Sequence, residues 1–128
     1  MRLNVSTGGA AERALRDALR RRGLRVETHV EGLPGRPDIV IRSERVCVFC
    51  DGDFWHGRHW PQLRQQLAER ANATYWVEKI ETNRRRDRAQ ARELRAAGWM
   101  VIRLWETDIL RKPQIAVSRV ARAARARH

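Results

Sequence analysis

The distribution of apolar and polar residues predicts an amphipathic helix near the amino terminus. Apolar residues recur there every three or four positions, which places them on one face of a helix. Ser6 or Thr7 is the candidate N-cap, and Gly23 ends the helix. The apolar face consists of Ala11, Ala14, Leu15, Ala18 and Leu19.

The next part of the chain predicts strands. Residues 24–30 alternate between apolar and polar, as in a half-buried strand, and residues 33–37 contain the Pro and Gly of a turn. Residues 39–41 and 46–50 are short apolar stretches separated by charged residues, and we expect them to form two strands.

The second half of the chain predicts further helices and one more strand. Pro61 opens a polar segment that extends to about residue 70 and begins as a helix, and a longer helix spans about residues 74–97. Residues 99–105 predict a further, central strand, and residues 113–125 predict a terminal helix.

The composition is compatible with one compact domain. The chain has 128 residues, of which 42% are hydrophobic, so it contains enough apolar side chains for one core. No internal repeat, low-complexity linker or domain boundary interrupts the pattern. We therefore expect a single α/β domain over residues 1–128.

The charge of the chain indicates a polyanionic partner. The formal net charge is +12, and 25 of the 27 basic residues are arginines. Such an excess attracts nucleic acid by long-range electrostatics and counterion release, but it carries no sequence specificity. The alternative is that the arginines reflect a GC-rich genome and form solvated faces. No window approaches the roughly 20 apolar residues that span a bilayer, so we expect a soluble, intracellular protein without a membrane partner.

The two cysteines predict core packing. Cys47 and Cys50 lie three residues apart in a predicted strand, so their side chains point to opposite faces. No second pair of Cys or His residues completes a zinc site at the usual spacing.

Acidic residues on both sides of the predicted hairpin, and a histidine after it, indicate metal-dependent phosphodiester hydrolysis. Pairing of residues 39–41 with 46–50 would place Asp38 beside Asp51, and His56 follows shortly after. Carboxylates suit Mg²⁺, and a histidine can transfer a proton. The alternatives are that Asp38 caps a turn, that Asp51 belongs to an ordinary turn, and that His56 is a surface residue. Asp53 would share a face with Asp51 if the strand extended through Gly52.

Four ordered stretches of the chain resemble the very-short-patch-repair (Vsr) mismatch endonucleases. They are residues 34–38, residues 51–56, residues 76–88 and residues 97–106. The resemblance implies the restriction-endonuclease-like fold of the PD-(D/E)xK superfamily, a three-layer α/β fold with a central mixed sheet flanked by helices. It also implies Mg²⁺-dependent nicking of DNA beside a thymine mispaired with guanine.

The resemblance further implies roles for individual residues. Asp38 corresponds to the metal-binding aspartate, and the backbone carbonyl of Cys50 corresponds to a second metal ligand for one or two Mg²⁺ ions. His56 corresponds to the catalytic histidine, which Asp87 would orient, and Glu12 to a glutamate that supports metal-bound waters.

The chain departs from the family pattern at two sites. Asp51 stands where other members carry a second histidine, which moves its expected role toward metal binding or base catalysis. The positions of the family's structural zinc site hold no Cys or His, so we predict no zinc there; they are Asp53, Arg58, Trp60 and Thr107. We expect Arg58 and Trp60 to stabilise that region through packing or DNA contact instead. From the resemblance we also expect that the chain begins at the equivalent of an internal point of the pattern, without an amino-terminal DNA clamp. A missing clamp would weaken discrimination of a mispair from paired duplex.

The expected partner is double-stranded DNA. Three aromatic residues, Phe54, Trp55 and Trp76, correspond to a wedge that enters the base stack, with core packing as the alternative. Arg36 is a candidate contact to the scissile phosphate, and the DNA backbone would contact Arg84, Arg85, Arg86 and Arg88.

Two other functions stay open at this point. One is a restriction or anti-phage defence nuclease that acts on paired or modified DNA, and the other is a noncatalytic DNA-binding module. The repair function would imply a bacterial cytoplasmic, nucleoid-associated enzyme that cooperates with mismatch-repair proteins. Either a monomer or a dimer is compatible with the sequence.

Overall fold

The computed structural model describes residues 9–128, which form five helices and four strands. Over this range, no helix combines the length and the apolar character that crossing a bilayer requires. The elements are α1 (Ala10–Arg21), β1 (Glu27–Thr28), β2 (Ile39–Ile41), β3 (Val46–Asp51), α2 (Trp60–Leu67), α3 (Ala73–Ala96), β4 (Met100–Trp105), α4 (Glu106–Arg111) and α5 (Pro113–Ala126).

The four strands form one mixed sheet in the order β1-β2-β3-β4. The β1–β2 and β2–β3 pairs are antiparallel, whereas β3 and β4 are parallel. The long helix α3 connects β3 to β4, as a parallel pair requires a crossover. Because β2 already occupies one side of β3, β4 pairs with the other side.

Helices cover both faces of the sheet and produce three layers. On one face, Val46, Val48 and Cys50 of β3 pack against apolar residues of α1, α4 and α5. On the other face, Cys47 and Phe49 pack against the end of α3. All six residues of β3 are therefore buried, and the structure has the α/β, restriction-endonuclease-like architecture expected from the sequence.

The two cysteines lie on opposite faces of β3, as the sequence predicts. Both are free thiols and both are buried. Burial raises the pKa of the Cys47 thiol to about 11 and raises that of Cys50 as well. Both side chains therefore act as small apolar groups of the core.

Most predicted elements are confirmed, and two details are wrong. The strand predicted over residues 24–30 contains only Glu27–Thr28, because His29 has a φ of +54° and the chain turns out of the sheet there. The predicted central strand β4 lies at the edge of the sheet that the described residues form. The polar segment that begins at Pro61 is helical as far as Leu67, and Ala68 is the C-cap of α2.

Two further points concern helix ends. Ser6 and Thr7, the candidate N-caps, lie outside the described residues, and Gly9 occupies the N-cap position of α1. Helix α4 was not predicted. Its six residues are too few to produce a readable apolar period.

Candidate active site

Asp38 lies at the carboxyl end of β3, as the predicted hairpin requires. Ile39 pairs with Val48, so the residue before β2 reaches the last residues of β3. The Cys50 backbone N–H donates to Asp38 Oδ2 at 2.7 Å. The Asp38 carboxylate is 9% exposed and is thereby fixed beside the Cys50 peptide.

Helix α3 holds the loop that carries His56. Asn83 Nδ2 donates to the Trp55 carbonyl oxygen at 2.9 Å, and Arg84 Nη1 donates to the Gly57 carbonyl oxygen at 3.2 Å. Gly57 has a φ of +70°, and a Cβ atom there would lie 2.9 Å from an Ile80 methyl group. The loop therefore follows the surface of α3 closely, which only glycine permits at this position.

Four charged side chains meet next to this loop, and we call them the Asp51 cluster: Asp51, His56, Asp87 and Arg103. His56 Nδ1 lies 2.6 Å from Asp87 Oδ2 and 3.8 Å from Asp51 Oδ1. Arg103 donates to both oxygens of Asp51, at 2.9 Å from Nε and 3.3 Å from Nη2. The Nη2 atom of Arg103 also lies 3.3 Å from Asp87 Oδ1.

The cluster shifts the protonation of its members. Burial of the ring favours neutral His56, but the hydrogen bond with Asp87 and the charge of Asp51 outweigh it and raise the pKa of His56. Burial likewise opposes ionisation of Asp87, yet the hydrogen bond with His56 lowers the pKa of Asp87. The arrangement favours the imidazolium form, which can donate a proton.

Two clefts open beside the Asp51 cluster. The main cleft has a volume of about 430 Å³, and its walls include Asp38, Arg36, Arg86 and Glu106 together with the cluster. The side cleft, of about 290 Å³, is lined by Arg84, Arg88 and Trp105 and by the same four cluster residues. The Asp51 cluster is therefore the wall that the two clefts share.

The predicted Glu12 is a buried member of α1. It is 2% exposed, and its Oε2 atom lies 2.5 Å from His29 Nε2. Its Oε1 atom is buried and finds no hydrogen-bond partner among residues 9–128. An unpartnered carboxylate oxygen in this position is costly for stability, which is the usual mark of a group kept for function.

Sequence reasoning missed Glu106 and Arg103. Glu106 lines the main cleft, where burial raises the pKa of Glu106 and the charge of nearby Asp53 raises it further. Asp51 and Trp105 are register partners in a parallel pair, so the residues after both strands meet at one sheet edge. In parallel neighbouring strands, the residues that follow the strands lie at the same end of the sheet. Pairing residues 99–105 with β3 would therefore have identified Glu106 from the sequence.

The predicted wedge residues form one aromatic surface group. The ring centroids of Phe54 and Trp55 are 5.1 Å apart, and those of Trp55 and Trp76 are 5.6 Å apart. All three side chains are half-buried and lie outside both core clusters. Tyr75, which the sequence did not single out, packs on Trp76 at 5.0 Å and is 57% exposed.

The arginines predicted to contact DNA differ in position. Arg86 and Arg36 line the main cleft, and Arg36 does so from a left-handed backbone with a φ of +52°. Arg84 and Arg88 line the side cleft. Arg85 is exposed and donates to Thr82 on its own helix, so it lines neither cleft.

A second charged group, the Asp53 cluster, consists of Asp53, Arg58, Thr107 and Asp108. Asp53 Oδ2 accepts from Arg58 Nη1 at 3.0 Å, and Asp53 Oδ1 accepts from the Thr107 backbone N–H at 3.2 Å and its hydroxyl at 2.8 Å. Arg58 also lies 3.0 Å from Asp108 Oδ1. Because β3 ends at Asp51, the strand does not extend through Gly52, and the condition for a shared face of Asp51 and Asp53 is not met.

Trp60 is separate from the Asp53 cluster. Its ring lies 5.8 Å from the Arg84 guanidinium carbon. Of the four positions at which the resemblance implied a zinc site in other members, Asp53, Arg58 and Thr107 are joined by hydrogen bonds here. The fourth, Trp60, packs against Arg84 of α3.

Comparison with known proteins identifies the family of the chain. The profile of the family described as DNA mismatch endonuclease Vsr matches residues 1–62. The type II nicking enzyme V.NmeDIP of Neisseria meningitidis serogroup C is 35% identical over 125 residues, which cover 98% of this chain and 83% of that protein. The chain belongs to the Vsr family.

Other relatives are also similar in sequence to this chain. The type II nicking enzyme V.XorIIP of Xanthomonas oryzae pv. oryzae is 41% identical over 98 residues, or 77% of this chain and 70% of the relative. The DNA mismatch endonuclease Vsr of Escherichia coli K12 is 37% identical over 106 residues, or 83% of this chain and 66% of the relative. The protein is a DNA endonuclease, a hydrolase that acts on phosphodiester bonds.

Proposed function

We propose that this Vsr-family protein is a Mg²⁺-dependent endonuclease that nicks one strand of duplex DNA beside a thymine–guanine mispair. The observation that carries the proposal is His56, held by Asp87 at 2.6 Å in a cleft that also contains the Asp38 carboxylate. A proton-transfer group and a metal-binding carboxylate in one cleft are the two elements that phosphodiester hydrolysis requires.

The residues of the main cleft suit a Mg²⁺ ion that DNA would help to hold. Among residues 9–128, no three His, Cys, Asp or Glu side chains are placed to bind an ion by themselves. Mg²⁺ commonly takes one or two carboxylates and completes its shell with waters and substrate phosphates. Asp38 and the Cys50 carbonyl would supply the protein ligands, and the buried Oε1 atom of Glu12 would accept a hydrogen bond from a nearby water.

Asp51 is held by Arg103, since both of its oxygens accept hydrogen bonds from that side chain. An ion bound to Asp51 would share the carboxylate with the Arg103 guanidinium group. A bound Mg²⁺ ion would neutralise charge on the scissile phosphate and lower the pKa of the attacking water.

His56 would transfer the proton. Because its Nδ1 atom faces Asp87, its Nε2 atom is the one that exchanges a proton with the substrate. The raised pKa of His56 suits donation to the leaving 3′ oxygen.

The surface around the clefts would hold DNA. Arg36 and Arg86 on one side, and Arg84 and Arg88 on the other, could follow the phosphates of the cut strand. The aromatic group of Phe54, Trp55 and Trp76 would enter the base stack, which costs least at a pair already weakened by mismatch.

The test is a nicking assay with Mg²⁺ on labelled duplexes that are fully paired, carry each mispair, or are methylated. We expect the thymine–guanine duplex alone to be nicked, and we expect Asp38→Asn and His56→Ala to be inactive. His59→Ala is the matched control, because His59 is exposed and lines neither cleft.

Other results would change the proposal. Cutting of paired or methylated DNA would favour a restriction or defence enzyme. Binding of DNA without cleavage under any condition would favour a noncatalytic module. Full activity of Asp38→Asn would place the active site elsewhere.

A further inference from the structure

Arg103 occupies the centre of the Asp51 cluster, although its strand is distant in sequence from the other three members. It lies directly opposite Phe49 in the parallel β3–β4 pair, and its guanidinium carbon is 4.1 Å from the Phe49 ring centroid. The ring fixes the plane of the guanidinium group. From this position Nε and Nη2 reach Asp51, and Nη2 also reaches Asp87.

The contacts of Asp87 connect Arg103 to the imidazole. One oxygen of Asp87 is bonded to His56 and the other lies against Arg103. The orientation of the carboxylate that holds the imidazole therefore depends on Arg103. The same Nη2 atom also sets the distance between Asp87 and Asp51, since it lies 3.3 Å from an oxygen of each.

The charges of the cluster require a cation at this place. Asp51 and Asp87 are both largely buried, with side chains 8% and 13% exposed, and both approach His56. Two carboxylates this close repel each other in a partly desolvated site. Arg103 offsets that repulsion whether or not His56 carries its proton, because an arginine stays charged throughout the working pH range.

Arg103 also retains a feature that stability alone does not explain. Its Nη1 atom is buried and has no hydrogen-bond acceptor among residues 9–128. An unsatisfied buried donor is costly, so a side chain chosen only for packing would avoid it. The guanidinium group is instead placed where it serves two carboxylates at once.

We propose that Arg103 is a positioning residue of the nicking reaction: it locks Asp51 and Asp87 in place and thereby fixes the imidazole of His56 at the wall between the two clefts. Asp51 then acts as the anchor of Arg103. The inference rests on the proposed role of His56.

The test compares Arg103→Met, Arg103→Lys and the double variant Arg103→Met/Asp51→Asn in single-turnover nicking of the thymine–guanine duplex. We expect Arg103→Met to lower the rate about 10²-fold through misplacement of His56, with the Kd for DNA changed less than about threefold. The double variant should recover roughly tenfold, because it removes the carboxylate that needs the cation. Arg103→Lys should be intermediate, since it keeps the charge and loses the fork.

A second readout needs no metal and no DNA. The proton on His56 Nδ1 gives a downfield NMR signal when it is held by Asp87, and Arg103→Met should shift or broaden that signal in the free protein. The matched control is Arg45→Met. Arg45 also lies over a ring, 5.1 Å from the Trp99 centroid, but it has no carboxylate partner among residues 9–128 and lies outside both clefts.

The outcomes separate this inference from the proposed function. If Arg103→Met nicks at the normal rate or leaves the His56 signal unchanged, while His56→Ala is inactive, the positioning role is wrong and the proposed function stands. If the Kd weakens in proportion to the rate and the double variant does not recover, Arg103 binds the phosphate instead. If His56→Ala also nicks normally, the proposed function itself fails.

Discussion

Arg103 and Arg58 have similar surroundings in two neighbouring parts of the molecule. Each lies over an aromatic ring, Phe49 for Arg103 and Trp105 for Arg58, and each pairs with two aspartates. The first aspartates of the two groups, Asp51 and Asp53, are two residues apart in the chain. The Asp51 cluster nevertheless lines both clefts, whereas the Asp53 cluster joins a loop to the first turn of α4.

The difference lies in what the aspartates hold. Asp53 accepts the Thr107 backbone N–H near the start of α4, so it caps that helix from a distant part of the chain. Asp51 and Asp87 instead surround a histidine, and the Asp51 cluster keeps a buried donor without an acceptor among the described residues. We therefore propose that similar arginine–carboxylate groups serve stability in the Asp53 cluster and the nicking reaction in the Asp51 cluster. The two clusters differ in that the Asp51 cluster contains a histidine and an unsatisfied buried donor.

Among the variants that compare the two clusters, the largest effect should come from Asp87, the carboxylate proposed to orient His56. Asp87→Asn keeps the size of the side chain but loses the charge and can present its amide N–H₂ to His56 Nδ1. We expect the nicking rate to fall by about 10²–10⁴-fold, by analogy with the aspartate of a catalytic triad. Single-turnover assays on the thymine–guanine duplex measure it, and Asp53→Asn in the same assay should lose far less.

That prediction would be overturned by equal losses in the two variants. Such a result would mean that the two aspartates support the site only through folding. Urea unfolding of both variants, run in parallel, distinguishes a folding defect from a loss of chemistry.

A smaller effect, on stability, should come from the Asp53 cluster. Asp53→Ala removes three hydrogen bonds, two of them to Thr107 at the start of α4. We expect the free energy of unfolding to fall by about 1–3 kcal/mol, because Arg58 and the helix end lose a charged partner. Urea denaturation of the metal-free protein measures the change.

The response of the wild-type protein to a zinc chelator tests the same region. If hydrogen bonds hold this region as we predict, a zinc chelator leaves the urea midpoint of the wild-type protein unchanged, and metal analysis finds no stoichiometric zinc. A chelator-dependent loss of stability would mean that a metal is bound after all.

The smallest effect should be the pH dependence of the His56–Asp87 pair. The raised pKa of His56 means that its contribution to stability is lost as the pH rises through that pKa. The lowered pKa of Asp87 means that its contribution is lost as the pH falls through that pKa. In the unfolded chain the ordinary pKa values are about 6.5 for histidine and 3.9 for aspartate. The His56–Asp87 ion pair therefore makes its full contribution to stability between about pH 4 and pH 6.5.

Unfolding of wild type and Asp87→Asn at pH 5 and pH 9 measures this contribution. We expect a difference of about 1 kcal/mol at pH 5 that shrinks toward pH 9 as His56 loses its proton. Asp53→Asn serves as the comparison, since its partners are an arginine and a threonine that do not titrate in this range. A difference for Asp87→Asn that is equal at both pH values would show that His56 does not carry charge in the pair.

Much of the fold could be predicted from the sequence because the signals were local. Apolar periods located α1, α3 and α5 within a few residues, and short apolar runs located β2 and β3. The hairpin between those strands brings Asp38 to Cys50, because only four residues separate the strands and the register follows. The cap of α4 by Asp53 could not be predicted, since its two parts lie far apart in the chain.

The sequence by itself determined the α/β class, the strands that carry Asp38 and Asp51, and the chemistry of the individual side chains. Tertiary structure decided which of those side chains meet. Only the parallel pairing of β3 with β4 places Arg103 beside Asp51, and only the packing of α3 on that face brings Asp87 to His56. Periodicity reports which face a residue lies on, whereas charge pairing across distant segments depends on strand order, which apolar patterns do not encode.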